Sequence, residues 1–348
     1  MIKGCSVRSE KEADVRFFAW MAANVRKKCV FLQPEKTMEP FEVQILGCGS
    51  AKPSTRHNTS SQLVSLRSKL FMVDCGEGTQ QQMARYHASY ARLGHIFISH
   101  LHGDHCFGLI GLISTLGMLG RGHAQSLHIH SLPELEGLLR PQIDYFCREM
   151  PYEVVFHPFS YDHAEVIYND RSLTVQTVPL AHRIPCCGFV FREKPTPRHL
   201  RRDMIDAYEI PISHRGLIKN GADFVTPEGD VIPNERLTTP PTPPRSYAYL
   251  CDTAPTETVV PFIEGIDVLY HDATFATSDE GRAQATHHST AAQAAAIAAK
   301  AGVGKLVLGH FSGRYDDERP LLDEALAVFP NTVLAREGMK IEVNKNCE

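Results

Sequence analysis

The order of apolar and polar positions predicts strands and helices that alternate in two successive halves of the chain. From residue 41 onward, short runs rich in β-branched or aromatic residues predict strands, and longer runs between them predict helices. In the first half the predicted strands are 41–46, 61–66, 69–73, 95–99, 126–130, 152–156 and 173–178, and the predicted helices are 77–93, 108–119 and 133–150.

The second half repeats this pattern. The predicted strands 247–251, 268–270 and 305–308 surround an alanine-rich helix, 289–301, which either Ser289 or Thr290 could cap. Two halves of this kind predict an α/β fold with two sheets and helices outside them.

Two stretches do not follow the alternation. The interval of about 192–244 is rich in prolines, charges and glycines and closes on a proline-rich run, so it is predicted to be an insertion. Residues 1–37 carry mixed charge and little periodicity, which predicts an N-terminal extension for which disorder is one option. The main domain is then expected to span 38–348.

Composition limits the class of protein. With 348 residues, 43% hydrophobic and 22% charged, the chain falls in the globular range. No apolar run approaches the roughly 20 residues of a membrane span, so no membrane association is expected. Its ten cysteines include no C-x-x-C pair, and several lie in apolar runs, which predicts a reducing, cytoplasmic location. A net charge of −4 means that any nucleic acid must be bound by a local basic patch.

The strongest chemical signal is the segment His100-x-His102-x-Asp104-His105, which follows a predicted strand. A turn at a strand end lets these side chains diverge toward two cations, and Gly103 relieves crowding in the turn. The alternative is a set of surface histidines in a polar loop. The apolar flanks favour a metal site, because unpaired polar groups between them would be costly.

This segment resembles the signature of the metallo-β-lactamase superfamily, and four further blocks resemble the ribonuclease Z family within it. These blocks are Leu46-Gly-Cys-Gly-Ser-Ala-Lys-Pro53, Asn58-Thr-Ser60, Phe71-Met-Val-Asp-Cys-Gly-Glu-Gly-Thr-Gln80 and His310-Phe-Ser-Gly-Arg-Tyr315, and the similarity runs from about residue 38 to 343. The resemblance implies a four-layer αββα metallo-β-lactamase fold with an inserted arm.

Three distant residues could complete a two-metal site. His182, Asp252 and His310 each follow a predicted strand, although any one of them alone would more often be a capping or core polar residue. The resemblance implies two zinc ions per subunit, bridged by Asp252, with a metal-activated water that attacks a phosphodiester. One ion would be held by His100, His102 and His182, and the other by Asp104, which is also assigned to catalysis, His105 and His310.

A further histidine is assigned to catalysis by the resemblance. The segment Thr286-His-His-Ser-Thr290 matches a family block in which His288 would be the general acid, or a positive group facing the leaving oxygen. His287 is the less favoured candidate for this role. The alternative without a catalytic role is a histidine pair that caps the start of the alanine-rich helix. Where the family commonly has glutamate, this chain has Asp272, so either this shorter carboxylate still reaches the histidine or a water intervenes.

The insertion contains the richest basic cluster of the chain. Residues 192–202 carry five basic side chains and one acidic side chain, and the basic ones are Arg192, Lys194, Arg198, Arg201 and Arg202. From composition alone, a solvated loop is an equal alternative. The resemblance implies an arm that grips the tRNA elbow through phosphate contacts, in a homodimer in which one subunit's arm serves the other's site.

The predicted function is that of a zinc-dependent endoribonuclease that removes the 3′ trailer from precursor tRNA and leaves a 3′-hydroxyl. One alternative is a two-zinc hydrolase of small phosphodiesters or thioesters on the same fold. Another is a non-catalytic RNA-binding protein. The basic insertion argues against the first alternative, and the apparently complete ligand set argues against the second.

Overall fold

The computed structural model describes residues 40–123 and 125–345, and the extension predicted at 1–37 lies outside them. Two mixed sheets of seven strands form its centre. Across the first sheet the strands are β18 (Lys340–Glu342), β1 (Phe41–Gly47), β2 (Ser61–Leu66), β3 (Lys69–Cys75), β4 (Leu93–Phe97), β5 (Leu127–Ser131) and β6 (Val154–Pro158). Across the second they are β17 (Thr332–Leu334), β16 (Lys305–Gly309), β15 (Val268–Asp272), β14 (Ser246–Leu250), β9 (Cys187–Glu193), β8 (Leu173–Pro179) and β7 (Val166–Asn169).

Helices follow many of the strands. In chain order they are α1 (Thr79–Arg85), α2 (Gly103–Cys106), α3 (Leu109–Met118), α4 (Glu134–Phe146), α5 (Arg202–Ala207), α6 (Ile212–Lys219), α7 (Asn234–Leu237), α8 (Val260–Ile263), α9 (Glu280–Thr286), α10 (Ala291–Ala301) and α11 (Arg319–Leu326). Within the described ranges, none of these helices has the length and apolar character needed to cross a bilayer.

The apolar core lies between the two sheets and beneath the helices. Aromatic side chains of both sheets meet at the centre, where the ring centroids of Phe97 and Phe189 are 5.6 Å apart. A second cluster joins α3 and α4 to the outer face of the first sheet through Leu112, Leu116 and Leu139. Helices α10 and α11 pack against the second sheet. The predicted four-layer αββα fold is therefore confirmed.

Strand direction determines where the loops of the site meet. Strands β3 to β6 are parallel to one another, as are β14 to β17, while the remaining neighbours in each sheet are antiparallel. The carboxyl ends of parallel strands lie at one edge of a sheet, and ligands bind outside such ends. The loops after β4, β8, β14 and β16 are the ones that carry the predicted metal ligands.

The insertion is more regular than its composition indicates. It leaves the second sheet after β9 and returns at β14, and these two strands pair with Arg192 opposite Ser246. It contains α5 to α7 and two short antiparallel strand pairs, β10 (His199–Leu200) with β13 (Thr238–Thr239) and β11 (Phe224–Val225) with β12 (Val231–Ile232). Its own small core consists of Ile205, Ile210, Ile218, Phe224, Ile232 and Leu237.

Several element ends differ from the sequence-based predictions. The helix predicted at 77–93 ends at Arg85, because the following His87 has a left-handed φ of 54°, which ends regular helix. A short 3₁₀ turn, Tyr90–Arg92, then leads into β4. The alanine-rich helix begins at Ala291 and is capped by Thr290 rather than Ser289, in a capping box with Gln293.

Candidate metal centre and active site

All seven predicted metal ligands converge at the carboxyl ends of the strands. The loop after β4 carries His100 and His102, and α2 carries Asp104 and His105. The other three come from the second sheet, and they are His182 after β8, Asp252 after β14 and His310 directly after β16.

Three histidines form the first group of ligand-type atoms. The Nε2 atom of His100 lies 3.0 Å from Nδ1 of His102, which is 3.3 Å from Nε2 of His182. Burial lowers the pKa of His100 well below its usual value and that of His182 to about 4. These imidazoles are therefore neutral at neutral pH and have a lone pair available for a cation.

The second group surrounds the carboxylate of Asp252. Its Oδ2 atom lies 2.8 Å from Nε2 of His105 and 3.3 Å from Nε2 of His310. The Oδ2 atom of Asp104 is 3.7 Å from each of the same two nitrogens. The thiol of Cys251, which sequence reasoning did not assign to the site, also lies within reach of this group.

Asp252 lies between the two groups. Its Oδ2 atom is 4.0 Å from Nε2 of His100, and its Oδ1 atom is 3.9 Å from Nε2 of His182. One carboxylate therefore faces nitrogen atoms of both clusters, which is the position that a bridging ligand requires.

Three buried atoms of the second group test whether a metal fits. His105 Nε2, Asp252 Oδ2 and His310 Nε2 are buried and have no hydrogen-bond partner, although they lie close together. Unpaired buried polar atoms are costly, and lone pairs that converge without hydrogen-bond geometry are what a cation would satisfy. The imidazole and carboxylate donors match those of zinc sites. The residues present fit a metal centre.

A second layer of contacts orients the imidazoles. The Nδ1 atom of His105 contacts Oδ2 of Asp74 at 2.7 Å, and that of His310 contacts Oγ1 of Thr274 at 2.9 Å. The Nδ1 atom of His182 faces the backbone carbonyl of His287 at 3.1 Å. Such partners fix which nitrogen faces a metal.

Asp74 is a site residue that sequence reasoning missed. Its carboxylate is fully buried and, besides His105, accepts hydrogen bonds from the backbone N–H and the hydroxyl of Ser99 and from the hydroxyl of Tyr249. The available signal was its place in the Phe71–Gln80 block directly after an apolar run. That pattern gives no direction for the side chain.

The structure answers the question raised by Asp272. Its Oδ2 atom lies 2.7 Å from Nδ1 of His288, so the shorter carboxylate reaches the histidine directly. Its other oxygen accepts from the backbone and hydroxyl of Thr274. Burial alone would lower the pKa of His288, but the charge and hydrogen bond of Asp272 outweigh it and raise the pKa to about 9.

A cleft of about 370 Å³ opens onto several of the predicted metal ligands. His102, Asp104, Asp252, His288 and His310 all contribute to its walls. Two cationic side chains that were not predicted, Lys52 and Arg183, also line it. The cleft therefore combines a candidate metal centre, a histidine held by a carboxylate and positive charge suited to a phosphate.

The five basic residues assigned to the insertion lie in different environments. Arg192 belongs to β9 and donates to the carbonyl of Phe262 at 2.6 Å, and Arg198 donates to Thr238 Oγ1 at 2.7 Å. Lys194 donates to Asn169 Oδ1, and Arg201 pairs with Asp203 at 2.9 Å. Arg202 is exposed at the start of α5. Arg192 and Arg198 are thus engaged within the fold, and substrate binding by the five residues stays a prediction.

Comparison with proteins of known name gives close sequence relatives. The chain is 59% identical over 307 residues to the ribonuclease Z of Bacteroides thetaiotaomicron, covering 88% of this chain and 96% of that protein. It is 50% identical over 306 residues to the ribonuclease Z of Porphyromonas gingivalis strain W83, covering 88% of this chain and 100% of that protein. The family model "Anti-Pycsar protein Apyc1" matches residues 41–194.

Solved structures share the fold at lower identity. Human tRNase Z, short form, superposes with a TM-score of 0.63 at 23% identity, covering 87% of this chain and 100% of that chain. The metallo-β-lactamase fold protein YhfI from Bacillus subtilis has a TM-score of 0.61 at 19% identity, with 87% and 100% covered. At these identities the likeness concerns the fold.

Proposed function

The chain belongs to the ribonuclease Z family, and from this premise we propose that it is an endoribonuclease that processes the 3′ end of precursor tRNA. The close relatives named ribonuclease Z match this chain over nearly their whole length. This likeness favours RNA hydrolysis over the alternative of a hydrolase of small phosphodiesters or thioesters.

One structural observation carries the proposal. The buried, unpartnered atoms of His105, Asp252 and His310 face one another beside an open cleft that Lys52 and Arg183 also line. We assign one zinc ion to His100, His102 and His182 and a second to Asp104, His105 and His310, with Asp252 shared. Two such ions would supply an activated water near neutral pH and would offset negative charge on the phosphate.

The protein's own groups have defined roles in the proposed reaction. Lys52 and Arg183 would bind the phosphodiester in the cleft, since both line it. Asp272 holds Nδ1 of His288, so the Nε2 atom of His288 is left to deliver a proton to the departing oxygen. Asp272 is a positioning residue, because it acts through His288.

The insertion is proposed to bind the body of the tRNA. Its own apolar core gives it a stable shape, and Arg245 at its base pairs with Glu193 at 2.8 Å. Exposed Arg202 and half-buried Arg201 are the most accessible of the five predicted contacts, and backbone phosphates would be their partners. Contacts of this kind position an RNA without reading its sequence.

A homodimer and a cytoplasmic location complete the proposal. Met118, Leu119, Tyr145 and Phe146 are exposed apolar side chains, and Met118, Tyr145 and Phe146 line one shallow pocket, a surface suited to a second copy. The cysteines of the described ranges are free, which is compatible with a reducing compartment. Sedimentation of the intact chain tests the dimer, and fractionation of cells that produce it tests the location.

The experiment that tests the function is cleavage of a precursor tRNA with a 3′ trailer. Hydrolysis by activated water leaves a 3′-hydroxyl on the tRNA and a 5′-phosphate on the trailer. Cyclic phosphate ends would instead indicate attack by a ribose hydroxyl and would contradict the mechanism.

A paired measurement tests the role of the insertion. The double variant Arg201→Ala and Arg202→Ala should raise KM for precursor tRNA but not for a small phosphodiester. Lys340→Ala is the control, since this exposed lysine lies on β18, outside both the cleft and the insertion. Equal losses on both substrates would remove the insertion from substrate binding.

A further inference from the structure

A second set of metal-type side chains lies outside the seven predicted ligands. Cys48 and His57 lie in the loop between β1 and β2, and Glu337 lies between β17 and β18. One ligand atom from each of the three lies within 4.8 Å of the others. The group borders a cavity of about 590 Å³, larger than the cleft at the proposed active site, and His57 and Glu337 line it.

We propose that Cys48, His57 and Glu337 bind a further metal ion, most compatible with Zn²⁺, separate from the proposed catalytic pair. The Sγ atom of Cys48 is 3.5 Å from Nδ1 of His57, which is 3.1 Å from each carboxylate oxygen of Glu337. With ordinary Zn–S and Zn–N bonds, a tetrahedral ion would hold sulfur and nitrogen about 3.5 Å apart and nitrogen and oxygen about 3.3 Å apart.

The surrounding contacts are those that orient metal ligands. The Nε2 atom of His57, on the side of the ring away from Cys48, lies 3.2 Å from Oε1 of Glu318. The backbone N–H of Asn58 donates to Glu337 at 3.0 Å. A ligating histidine commonly donates its second N–H to a carboxylate, and ligating carboxylates are themselves hydrogen-bonded. Both features are present here without any contribution from the catalytic residues.

Charge and access also favour a cation over a reactive thiol. A thiolate at Cys48 and the carboxylate of Glu337 would balance a divalent ion, while Arg56 pairs with Glu318. Cys48 is fully buried, so a substrate could not reach its sulfur as a nucleophile. The side chains of His57 and Glu337 are 17% and 12% exposed, so an ion can enter from the cavity and keep one position for water.

The ion would fasten the loop that supports the proposed active site. The carbonyl of Cys48 accepts from the backbone N–H of Phe311 at 2.9 Å, directly after His310. Three residues further along, the backbone N–H of Ala51 donates to Oδ2 of Asp104 at 2.7 Å. A metal bound to Cys48, His57 and Glu337 would join this loop to the segment after β17, which is 280 residues away from His57 in sequence.

Metal content and a sulfur-specific spectrum test the site. Protein purified without chelator should contain one equivalent of metal more than the Cys48→Ser variant. Cobalt substituted for zinc should give a near-ultraviolet sulfur-to-cobalt charge-transfer band that Cys48→Ser removes. Cys251→Ser is the matched control, because Cys251 is the buried thiol beside the other cluster.

Glu337→Gln provides a second variant of nearly the same shape, in case Cys48→Ser does not fold. It should also lose about one equivalent of metal, and chelator should lower its thermal midpoint by less than that of the original protein. Equal metal content in the original protein and both variants, or a band that depends on Cys251 instead, would overturn the proposal. In that case the three side chains would form a hydrogen-bonded network alone. Cleavage of precursor tRNA is measured separately, so this result would leave the proposed function standing.

Discussion

Replacing Asp74 with asparagine should weaken metal binding while leaving the backbone unstrained. Asp74 is the extra residue where β3 shifts register against β2, and its φ is 55°. Asparagine tolerates this left-handed conformation as readily as aspartate and has nearly the same size. The substitution therefore changes the chemistry of one buried oxygen and little else.

The expected magnitude follows from the contacts of that oxygen. The Oδ2 atom of Asp74 is 2.7 Å from the hydroxyl of Tyr249, 2.9 Å from that of Ser99 and 2.7 Å from Nδ1 of His105. An amide N–H₂ in this place would face the N–H of His105, which must point here for Nε2 to bind a metal. Loss of such a partner costs about 10- to 100-fold in metal affinity, which is about 1.4 to 2.7 kcal/mol.

Competition with a chromophoric chelator, on protein first stripped of metal, measures this affinity. Asp267→Asn is the matched control, because Asp267 is also a buried carboxylate and accepts from the backbone N–H and hydroxyl of Ser246, away from the metal ligands. Both variants should lose stability, but only Asp74→Asn should lose metal affinity. Unchanged affinity in Asp74→Asn, or an equal loss in Asp267→Asn, would refute the reasoning.

Three further predictions follow from the same geometry. Asp252→Ala removes the carboxylate shared by both groups of ligand-type atoms, so metal analysis should show lower metal content and the cleavage assay should show lower activity. A variant that keeps its metal and its activity would contradict the bridging role. Lys52→Ala and Arg183→Ala should each lower kcat/KM for precursor tRNA by about 10- to 150-fold, since a hydrogen bond to a charged group contributes about 1.5 to 3 kcal/mol. Unchanged steady-state values in both variants would show that neither side chain contacts the phosphate. Burial lowers the pKa of His95 and of His130 to about 3 in the folded protein. As pH falls below about 6.5, these two histidines therefore take up protons in the unfolded chain before they do so in the folded one. Together they should lower the free energy of unfolding by up to about 3 kcal/mol per pH unit. Denaturant titrations between about pH 6 and 4 should give a slope that is smaller by up to about 1.4 kcal/mol per pH unit for His95→Phe, and an identical slope would refute the assignment.

The sequence predicted the fold and the positions of the candidate ligands well, because both depend on strong local signals. A cluster of three histidines and an aspartate within six residues is distinctive, and His182, Asp252 and His310 follow apolar strands whose ends are visible in the pattern. The resemblance then supplied their order. The structure brings all of them together, although metal binding itself stays a proposal.

Features that depend on distant contacts were not predictable in this way. Asp74 lies within a run that is buried on both faces, and nothing local indicates that β3 bulges there and turns its carboxylate toward His105. The elements of the insertion were not predicted, because its six core residues are spread over short elements without a clear period. The local charge pattern that predicts substrate binding by Arg192 does not show that the pairing of β9 with β14 places this side chain beside Phe262.

The backbone at the site is held in unusual conformations by contacts within the protein. Asp74, Asp252 and His310 all have a left-handed φ, of 55°, 59° and 62°, and such conformations cost about 1 to 3 kcal/mol each. Protein contacts around them hold these turns, since Thr253 N–H donates to Asp272 and Phe311 N–H donates to Cys48. The loops can therefore form before any ion arrives.

The protein contacts do not satisfy the inward-facing atoms of the second group of ligand-type side chains. His105 Nε2, Asp252 Oδ2 and His310 Nε2 remain unpartnered because the same contacts that fix the loops aim these atoms at one another. Removal of metal should therefore leave the fold intact. The free-energy cost of the three buried atoms without partners then destabilises the centre itself and not the sheets. A site built this way gains its affinity from preorganisation, since few groups need to be ordered when the ion binds.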